Sequence, residues 1–133
     1  MHAAARVRET VMAKRILLVD DEPQIVRLVG RRLRANGYEV LAADNGEMAL
    51  ELAQSEMPDL VILDLMLPKL DGYKVCGLLK RDSRYAQIPI ILFTARAQEE
   101  DIKIGKEVGA NAYITKPFNA QTLLQKIQEL VRK

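Results

Sequence analysis

Cysteine is scarce in this sequence, and its scarcity excludes two kinds of site. Cys76 is the only cysteine among the 133 residues, so the chain can form neither an internal disulfide nor a multi-cysteine metal site. No apolar run approaches the roughly 18 residues of a membrane-spanning helix, and residues 1–13 lack the apolar core of a secretion signal. We therefore expect a soluble, cytoplasmic protein that does not contact a membrane.

An excess of charge of one sign is also missing. The chain has 20 Lys and Arg against 18 Asp and Glu, so its overall charge gives no reason to expect direct binding of nucleic acid. With 49% apolar residues, the 133-residue chain suffices for one core and leaves little room for a second. We predict a disordered N-terminal extension over residues 1–13 and a single domain over residues 14–133.

What the sequence does contain is an alternation of strand and helix patterns. Short apolar runs predict strands over 16–19, 39–43, 60–63, 88–93 and 112–115. Apolar residues at helical spacing predict helices from Pro23 to a stop at Gly37, over 47–54, around 75–79, over 99–108 and after Asn119. Five such units predict a doubly wound α/β fold, with a parallel sheet in the order 2-1-3-4-5 and helices on both faces.

Reactive polar residues end four of the predicted strands. Asp20 and Asp21 follow the first strand, Asp64 the third, Thr94 the fourth and Lys116 the fifth. Because the carboxyl ends of parallel strands share one edge of a sheet, these side chains should converge on the crevice beside strands one and three. Three carboxylates, a hydroxyl and an amine in one place can bind a cation and a phosphoryl group together.

The first turn after strand one distinguishes among possible ligands. It reads Asp20-Asp21-Glu22-Pro23 and would repel a flavin or dinucleotide phosphate, which needs glycines or hydroxyls there. Carboxylate oxygens suit Mg²⁺, which keeps several waters and completes its shell with phosphate oxygens. With Mg²⁺ and a lysine nearby, one carboxylate can stay ionised and act as the nucleophile that forms an aspartyl phosphate.

Five short motifs occur in order along the chain. They are Leu17-Leu18-Val19-Asp20-Asp21-Glu22, Asp59-Leu60-Val61-Ile62-Leu63-Asp64-Leu65-Met66-Leu67-Pro68, Asp71-Gly72, Phe93-Thr94-Ala95 and Tyr113-Ile114-Thr115-Lys116-Pro117-Phe118. Together they make the chain resemble the receiver domain of two-component response regulators, over about residues 14–132. The resemblance implies a flavodoxin-like fold of the CheY type.

The resemblance also implies a role for each acid of the crevice. Asp64 matches the phosphoacceptor, and Asp21 and Asp64 match direct Mg²⁺ ligands. Met66 matches the residue whose backbone carbonyl is a further ligand, and Asp20 matches an acid that acts through water. The implied cofactor is Mg²⁺.

A conformational switch is implied as well. Lys116 would pair with one phosphoryl oxygen, and Thr94 would donate its hydroxyl to another. Tyr113 would be the aromatic side chain that changes position when Thr94 moves. The Lys116–Pro117 peptide bond would be cis, as X-Pro bonds can be at small cost.

On this resemblance the chain is a phosphoacceptor signalling protein and not an enzyme. A histidine kinase or histidine phosphotransfer protein would supply the phosphoryl group, because the chain has no P-loop and its one histidine, His2, lies in the predicted extension. A downstream protein would bind the face made by the fourth helix, fifth strand and fifth helix. We expect a monomer or a weak phosphorylation-dependent dimer, since Ile104, Ala112 and Thr122 replace the charged residues through which one DNA-binding subfamily dimerises.

Two other functions stay open at this point. A degenerate receiver could act as a phosphorylation-independent protein-binding scaffold, although the presence of Asp21, Asp64, Thr94 and Lys116 argues against it. A haloacid-dehalogenase-type phosphatase also uses an Asp nucleophile at a strand end. That enzyme needs a second Asp two positions later, where this chain has Met66.

Overall fold

The architecture is a five-stranded sheet between two layers of helices. The computed structural model describes residues 13–131, with strands β1 (Arg15–Val19), β2 (Glu39–Ala43), β3 (Leu60–Leu63), β4 (Ile90–Thr94) and β5 (Ala112–Thr115). The helices are α1 (Pro23–Ala35), α2 (Gly46–Glu56), α3 (Gly72–Arg81), α4 (Glu99–Glu107) and α5 (Ala120–Val131). Apart from Ala13, the extension predicted over residues 1–13 lies outside the described residues.

The sheet is parallel throughout and has the order β2-β1-β3-β4-β5, which confirms the predicted fold. Its register places Val19 beside Leu63 on the neighbouring strands β1 and β3. Asp20 and Asp64 therefore leave the sheet side by side. On the far side of β4, Thr94 pairs with Thr115, so Lys116 leaves β5 at the same edge.

Alternating side chains of the strands build one core on each face of the sheet. Ile16 and Leu18 of β1 pack on the face covered by α1 and α5. Leu17 and Val19 point the other way, into the core under α2 and α3. Every residue of the central strand β3 is buried, as expected for a strand covered on both faces. The crevice residues thus stand on a rigid support.

Side-chain caps set where three of the helices begin. Asn45, Asp71 and Asn119 each accept a hydrogen bond from the backbone N–H three residues further on, at 2.9 to 3.1 Å. These bonds satisfy N–H groups that a helix start leaves unpaired, and the cap predicted at Asn119 is confirmed. None of the helices within residues 13–131 combines the length and apolarity that a bilayer crossing would require.

The fourth strand differs from its predicted limits. β4 begins at Ile90 and not at residue 88, and it includes Thr94. Pro89 has no N–H to give to the sheet, and the N–H of Ile88 bonds the carbonyl of Tyr85 at 3.0 Å in the preceding turn. The last rung of the ladder to β5 holds Thr94 inside the strand, where it is fully buried.

Candidate functional site

Three aspartates meet at the carboxyl edge of the sheet, as predicted. One carboxylate oxygen each of Asp20, Asp21 and Asp64 lies within 4.8 Å of the others. Asp20 and Asp64 are buried, at 1% and 5% exposure, whereas Asp21 is exposed. The cluster therefore has two acids set into the protein and one at its mouth.

Lys116 projects from the end of β5 into this cluster. Its Nζ lies 2.6 Å from Asp20 Oδ2 and 3.4 Å from Asp64 Oδ2, and it also contacts Glu22 Oε1 at 3.3 Å. The Lys116 side chain is only 13% exposed, and its Nζ stands 5.3 Å from the centre of the Phe93 ring. One ammonium group thus offsets the charge of several acids in a partly dehydrated place.

Burial and charge act against each other on the titratable groups here. Burial raises the pKa of Asp20, and the hydrogen bonds from Lys116 and from the Glu22 N–H offset that effect only in part. For Lys116, burial works to lower the pKa, but the hydrogen bond to Asp20 and the charge of Asp64 outweigh it and raise the pKa. The Lys116 ammonium group therefore stays protonated.

The loop after β3 fixes the position of Asp64. Its N–H bonds the carbonyl of Val19 at 3.0 Å, and its Oδ1 accepts a bond from the N–H of Met66 at 3.3 Å. Gly72 at the start of α3 lies against the same loop, and a Cβ there would come within 2.3 Å of the Asp64 carbonyl oxygen. Only glycine allows α3 to approach this closely.

Thr94 and Tyr113 lie on the side of the crevice next to the β4–α4 loop, residues 95–98. Thr94 is buried, and its Oγ1 accepts a 3.4 Å bond from the N–H of Arg96. The Tyr113 hydroxyl donates to the carbonyl of the same Arg96 at 2.7 Å. Arg96 therefore connects the hydroxyl predicted to sense a phosphoryl group with the aromatic ring predicted to move.

Some residues at the site were missed by the sequence analysis. Glu22 reaches Lys116, Asp101 pairs with Arg96 Nε at 3.2 Å, and the Tyr73 hydroxyl donates to the Asp101 carbonyl at 2.9 Å. Asp101 also belongs to the capping box with Gln98 that begins α4. The spacing of Gln98 and Asp101 in the sequence could have predicted this cap. No sequence pattern predicts the contact between Tyr73 of α3 and the Asp101 carbonyl of α4.

The predicted residues thus divide into two groups. Asp20, Asp21, Asp64 and Lys116 meet in the crevice, and the peptide bond after Lys116 is cis, as expected. Thr94 and Tyr113 lie beside the crevice along the β4–α4 loop. Met66, the remaining predicted residue, is 61% exposed, and its backbone N–H bonds the Asp64 carboxylate.

The donor set of the crevice fits a hard divalent cation. Its candidate side-chain ligands are all carboxylate oxygens, and three carboxylates outnumber the single ammonium group of Lys116. A divalent cation would neutralise that excess, and hard oxygen ligands in small number are what Mg²⁺ prefers. Neither a thiol nor an imidazole takes part in the cluster formed by the described residues, so softer metals lack their preferred ligands.

Comparison with known proteins agrees with this geometry. The family model described as the response regulator receiver domain matches residues 16–128. The transcriptional regulatory protein PhoP of alkaline phosphatase synthesis in Bacillus subtilis is 43% identical over 122 residues, which are 92% of this chain and 50% of PhoP. The regulator RpaA of Synechocystis is 44% identical over 119 residues, 90% of this chain and 49% of its own length. The chain spans about half the length of these curated relatives.

Solved structures share the fold as well. The chemotaxis response regulator CheY4 of Vibrio cholerae is 34% identical, with a TM-score of 0.83 over 90% of this chain and 99% of its own. A CheY-like receiver domain protein of Methanospirillum hungatei is 32% identical, with a TM-score of 0.84 over 90% and 94% of the two chains. With the family model matching most of the chain, this protein belongs to the response regulator receiver domain family.

Proposed function

We propose that this chain receives a phosphoryl group on Asp64 from a phosphohistidine of a histidine kinase or phosphotransfer protein, and that residues 14–133 form the unit that responds. The observation that carries the proposal is the surroundings of Asp64. Its carboxylate is buried at the sheet edge, held by the Met66 N–H, and placed 3.4 Å from the Lys116 ammonium. A structural aspartate has no need of two further acids beside it.

Mg²⁺ is the cofactor of this proposal. Asp21, Asp64 and the Met66 backbone carbonyl would hold it directly, and Asp20 would act through water. When bound, it supplies positive charge that neutralises the oxygens of the transferring group. That assignment is supported by the three converging carboxylates and by the excess of negative charge that Lys116 leaves.

The residues of the chain carry out the transfer by position and charge. An Asp64 carboxylate oxygen attacks phosphorus, its new O–P bond forms as the N–P bond to the donor imidazole breaks, and that nitrogen keeps the electron pair. Lys116 stabilises the negative charge on the transferring oxygens and needs little movement, since its Nζ already lies 3.4 Å from Asp64. Hydrolysis of the acyl phosphate then restores Asp64.

Phosphorylation is then reported through the β4–α4 loop. The new group brings about 1.5 to 2 negative charges and further acceptor oxygens, which draw the hydroxyl of Thr94 toward them. Movement of Thr94 would disturb the hydrogen bond that its Oγ1 accepts from the Arg96 N–H. A shift of Arg96 would in turn disturb the bond that its carbonyl accepts from the Tyr113 hydroxyl. Phosphorylation thereby shifts a pre-existing equilibrium of the switch.

The output is a protein contact on the face formed by α4, β5 and α5. Relatives of about twice this length have names of transcriptional regulators, and this chain matches one half of each. We infer that it controls a separate partner or an attached output domain, as a signalling protein without enzymatic turnover of its own and without binding nucleic acid or a membrane directly. It does so as a monomer or weak phosphorylation-dependent dimer.

Intact-mass measurement tests this function. The wild-type protein is incubated with Mg²⁺ and a small acyl phosphate, beside Asp64→Asn and the matched variant Asp59→Asn. Asp59 accepts the Arg15 N–H at 2.7 Å at the other end of β3, away from the crevice. We expect one added phosphoryl group on the wild type and on Asp59→Asn, and none on Asp64→Asn. No added mass on the wild type, even with its cognate kinase, would favour the phosphorylation-independent scaffold.

A further inference from the structure

The hydroxyl of Tyr73 joins two helices on the side of the switch. Tyr73 stands in the first turn of α3, and its hydroxyl donates to the carbonyl of Asp101 in the first turn of α4 at 2.9 Å. Its ring packs against the core under α2 and α3. A phenylalanine would fill the same space, so the hydroxyl serves the contact with α4 and not the packing.

The Tyr73 and Tyr113 hydroxyls lie close enough to affect each other's pKa. Each donates its proton to a backbone carbonyl on the same side of the switch: Tyr113 to Arg96 at 2.7 Å and Tyr73 to Asp101 at 2.9 Å. Burial raises the pKa of both tyrosines, so both remain neutral donors at physiological pH.

The Tyr113 ring is also confined by the helix beneath it. A Cβ on Gly105 of α4 would lie 3.0 Å from ring carbon Cδ2 of Tyr113, so the ring lies directly on the helix backbone. Any movement of the ring therefore has to break the bond from its hydroxyl to the Arg96 carbonyl.

Arg96 extends this network to the crevice. Its N–H bonds Thr94 Oγ1 at 3.4 Å, its carbonyl accepts from Tyr113, and its side chain pairs with Asp101 at 3.2 Å. Tyr73 adds a bond to the backbone of the same Asp101. The contacts form a connected network that includes the first turn of α4, and Thr94 connects it to the crevice.

We propose that Tyr73 is a positioning residue of the switch: its hydroxyl holds the first turn of α4 at Asp101, the residue that pairs with Arg96, to which Tyr113 donates, and so helps set the equilibrium that phosphorylation shifts. This inference rests on the proposed phosphoacceptor function and adds a member on α3, outside the α4–β5–α5 output face. Removing the Tyr73 hydroxyl should change the free-energy difference between the two arrangements of the switch. The positions of Asp64 and its neighbours should not change.

Coupling between the switch and the phosphoryl site makes the proposal measurable. A variant that changes the switch equilibrium also changes the apparent affinity for a phosphoryl mimic, by at most the same factor. We expect Tyr73→Phe to change the apparent affinity for beryllofluoride, measured with saturating Mg²⁺, by about two- to tenfold, the range of one hydrogen bond. The sign of the change reports which arrangement the hydroxyl favours. A purely structural role would lower the melting temperature and leave this affinity alone.

Two further variants make the test specific. In a Tyr113→Phe background the added Tyr73→Phe change should have little further effect, because both hydroxyls act through the pair of Arg96 and Asp101. Tyr85→Phe is the matched control, since it also removes a tyrosine hydroxyl. Tyr85 belongs to the loop that connects α3 to β4, and the Arg84 guanidinium lies 5.0 Å from the centre of its ring. An affinity unchanged in Tyr73→Phe, or changed equally in Tyr85→Phe, overturns the proposal.

A second readout separates this inference from the proposed function. Failure of the wild type to bind beryllofluoride or to gain phosphoryl mass would count against the phosphoacceptor role. The contact itself is then judged from the nuclear magnetic resonance signals of the Tyr113 ring in the free protein. Tyr73→Phe should shift those signals more than Tyr85→Phe does, and equal spectra would refute the positioning role.

Discussion

The crevice and the β4–α4 loop lie side by side and are held together by different means. In the crevice, buried carboxylates surround one ammonium group, with Lys116 at 2.6 Å from Asp20. In the loop, the Tyr113 and Tyr73 hydroxyls bond the backbone carbonyls of Arg96 and Asp101, beside one ion pair between the Arg96 and Asp101 side chains. Charged contacts in a buried place are strong, whereas each neutral bond adds little net stability.

That difference suits the two tasks that we propose. A site that binds a highly charged group benefits from fixed charges on rigid strand ends, which need no rearrangement when the group arrives. A switch needs two arrangements of nearly equal free energy, and weak neutral bonds allow that. The comparison therefore predicts large effects for substitutions in the crevice and smaller ones along the loop.

The largest effect is expected when the crevice loses the ammonium group of Lys116. Lys116→Ala leaves Asp20 buried without its partner, which should cost about 3 to 5 kcal/mol of the free energy of unfolding in the presence of a chelator. Arg15→Ala, which removes an exposed pair with Glu56, should cost about 1 kcal/mol or less. Urea unfolding of both variants provides the measurement.

Two companion results would sharpen this prediction. Mg²⁺ should restore part of the stability lost in Lys116→Ala, because it offsets the same acids and binds only the folded protein. The variant should also accept phosphate poorly and fail to change partner affinity. Equal losses in Lys116→Ala and Arg15→Ala would show that charge does not hold the crevice together.

The second-largest loss of stability is expected from a side chain introduced at Gly72. Gly72→Ala places a methyl group within 2.3 Å of the Asp64 carbonyl oxygen, so the loop or α3 must shift, at a cost of about 1 to 3 kcal/mol. The control is Gly30→Ala in α1, where the nearest atom is the flexible tip of Arg34 at 3.3 Å. That change should be neutral or stabilising in thermal unfolding. The opposite ranking would contradict the close approach.

The loop should respond more mildly. Asp101→Ala removes the cap of α4 and the partner of Arg96, with an expected loss of about 1 to 2 kcal/mol. Hydrogen exchange should become faster at the backbone amides of residues 96–98, while phosphoryl acceptance on Asp64 continues. Asp82→Ala, at an exposed pair with Arg84, serves as the control. Loss of acceptance in Asp101→Ala would mean that loop and crevice are not separable.

The smallest effect concerns a strained backbone in the loop between β3 and α3. Lys69 has φ +72°, a left-handed conformation that side chains disfavour. Lys69→Gly should therefore stabilise the protein by about 0.5 to 1 kcal/mol. Met57 and Lys69 are the non-glycine residues with positive φ among the described residues, so Ser83, in the loop between α3 and β4, has an ordinary backbone conformation. Ser83→Gly should therefore destabilise the protein, because glycine adds freedom to the unfolded chain without relieving strain. Equal signs for the two substitutions would contradict this account.

The contrast between the two regions also explains what could be predicted from sequence. The fold followed from apolar runs that alternate with helical spacing, and its strand order was confirmed. Strand ends then placed Asp20, Asp64 and Lys116 together, because parallel strands share their carboxyl edge. Residue types and chain order were enough for charged groups at such ends.

The loop network depends on information that the sequence does not display. The bond from Tyr73 to the Asp101 carbonyl depends on how α3 and α4 lie beside each other. Every residue has a backbone carbonyl, so the sequence does not indicate which one accepts this bond. The extent of β4 was wrong at its start because Pro89 and the turn at Ile88 outweigh apolar character. Interactions of backbone groups between helices remain the hardest to predict.

The central claim is that Asp64 is the phosphoacceptor, and chemical trapping of the acyl phosphate tests it most directly. The protein is incubated with Mg²⁺ and a small acyl phosphate and then treated with borohydride, which reduces an aspartyl phosphate to homoserine. Mass spectrometry of the peptides locates the change. We predict homoserine at position 64, with Asp20 and Asp21 unchanged. Homoserine at position 20 or 21, or an unmodified peptide around Asp64 beside phosphoryl mass elsewhere, would contradict the account.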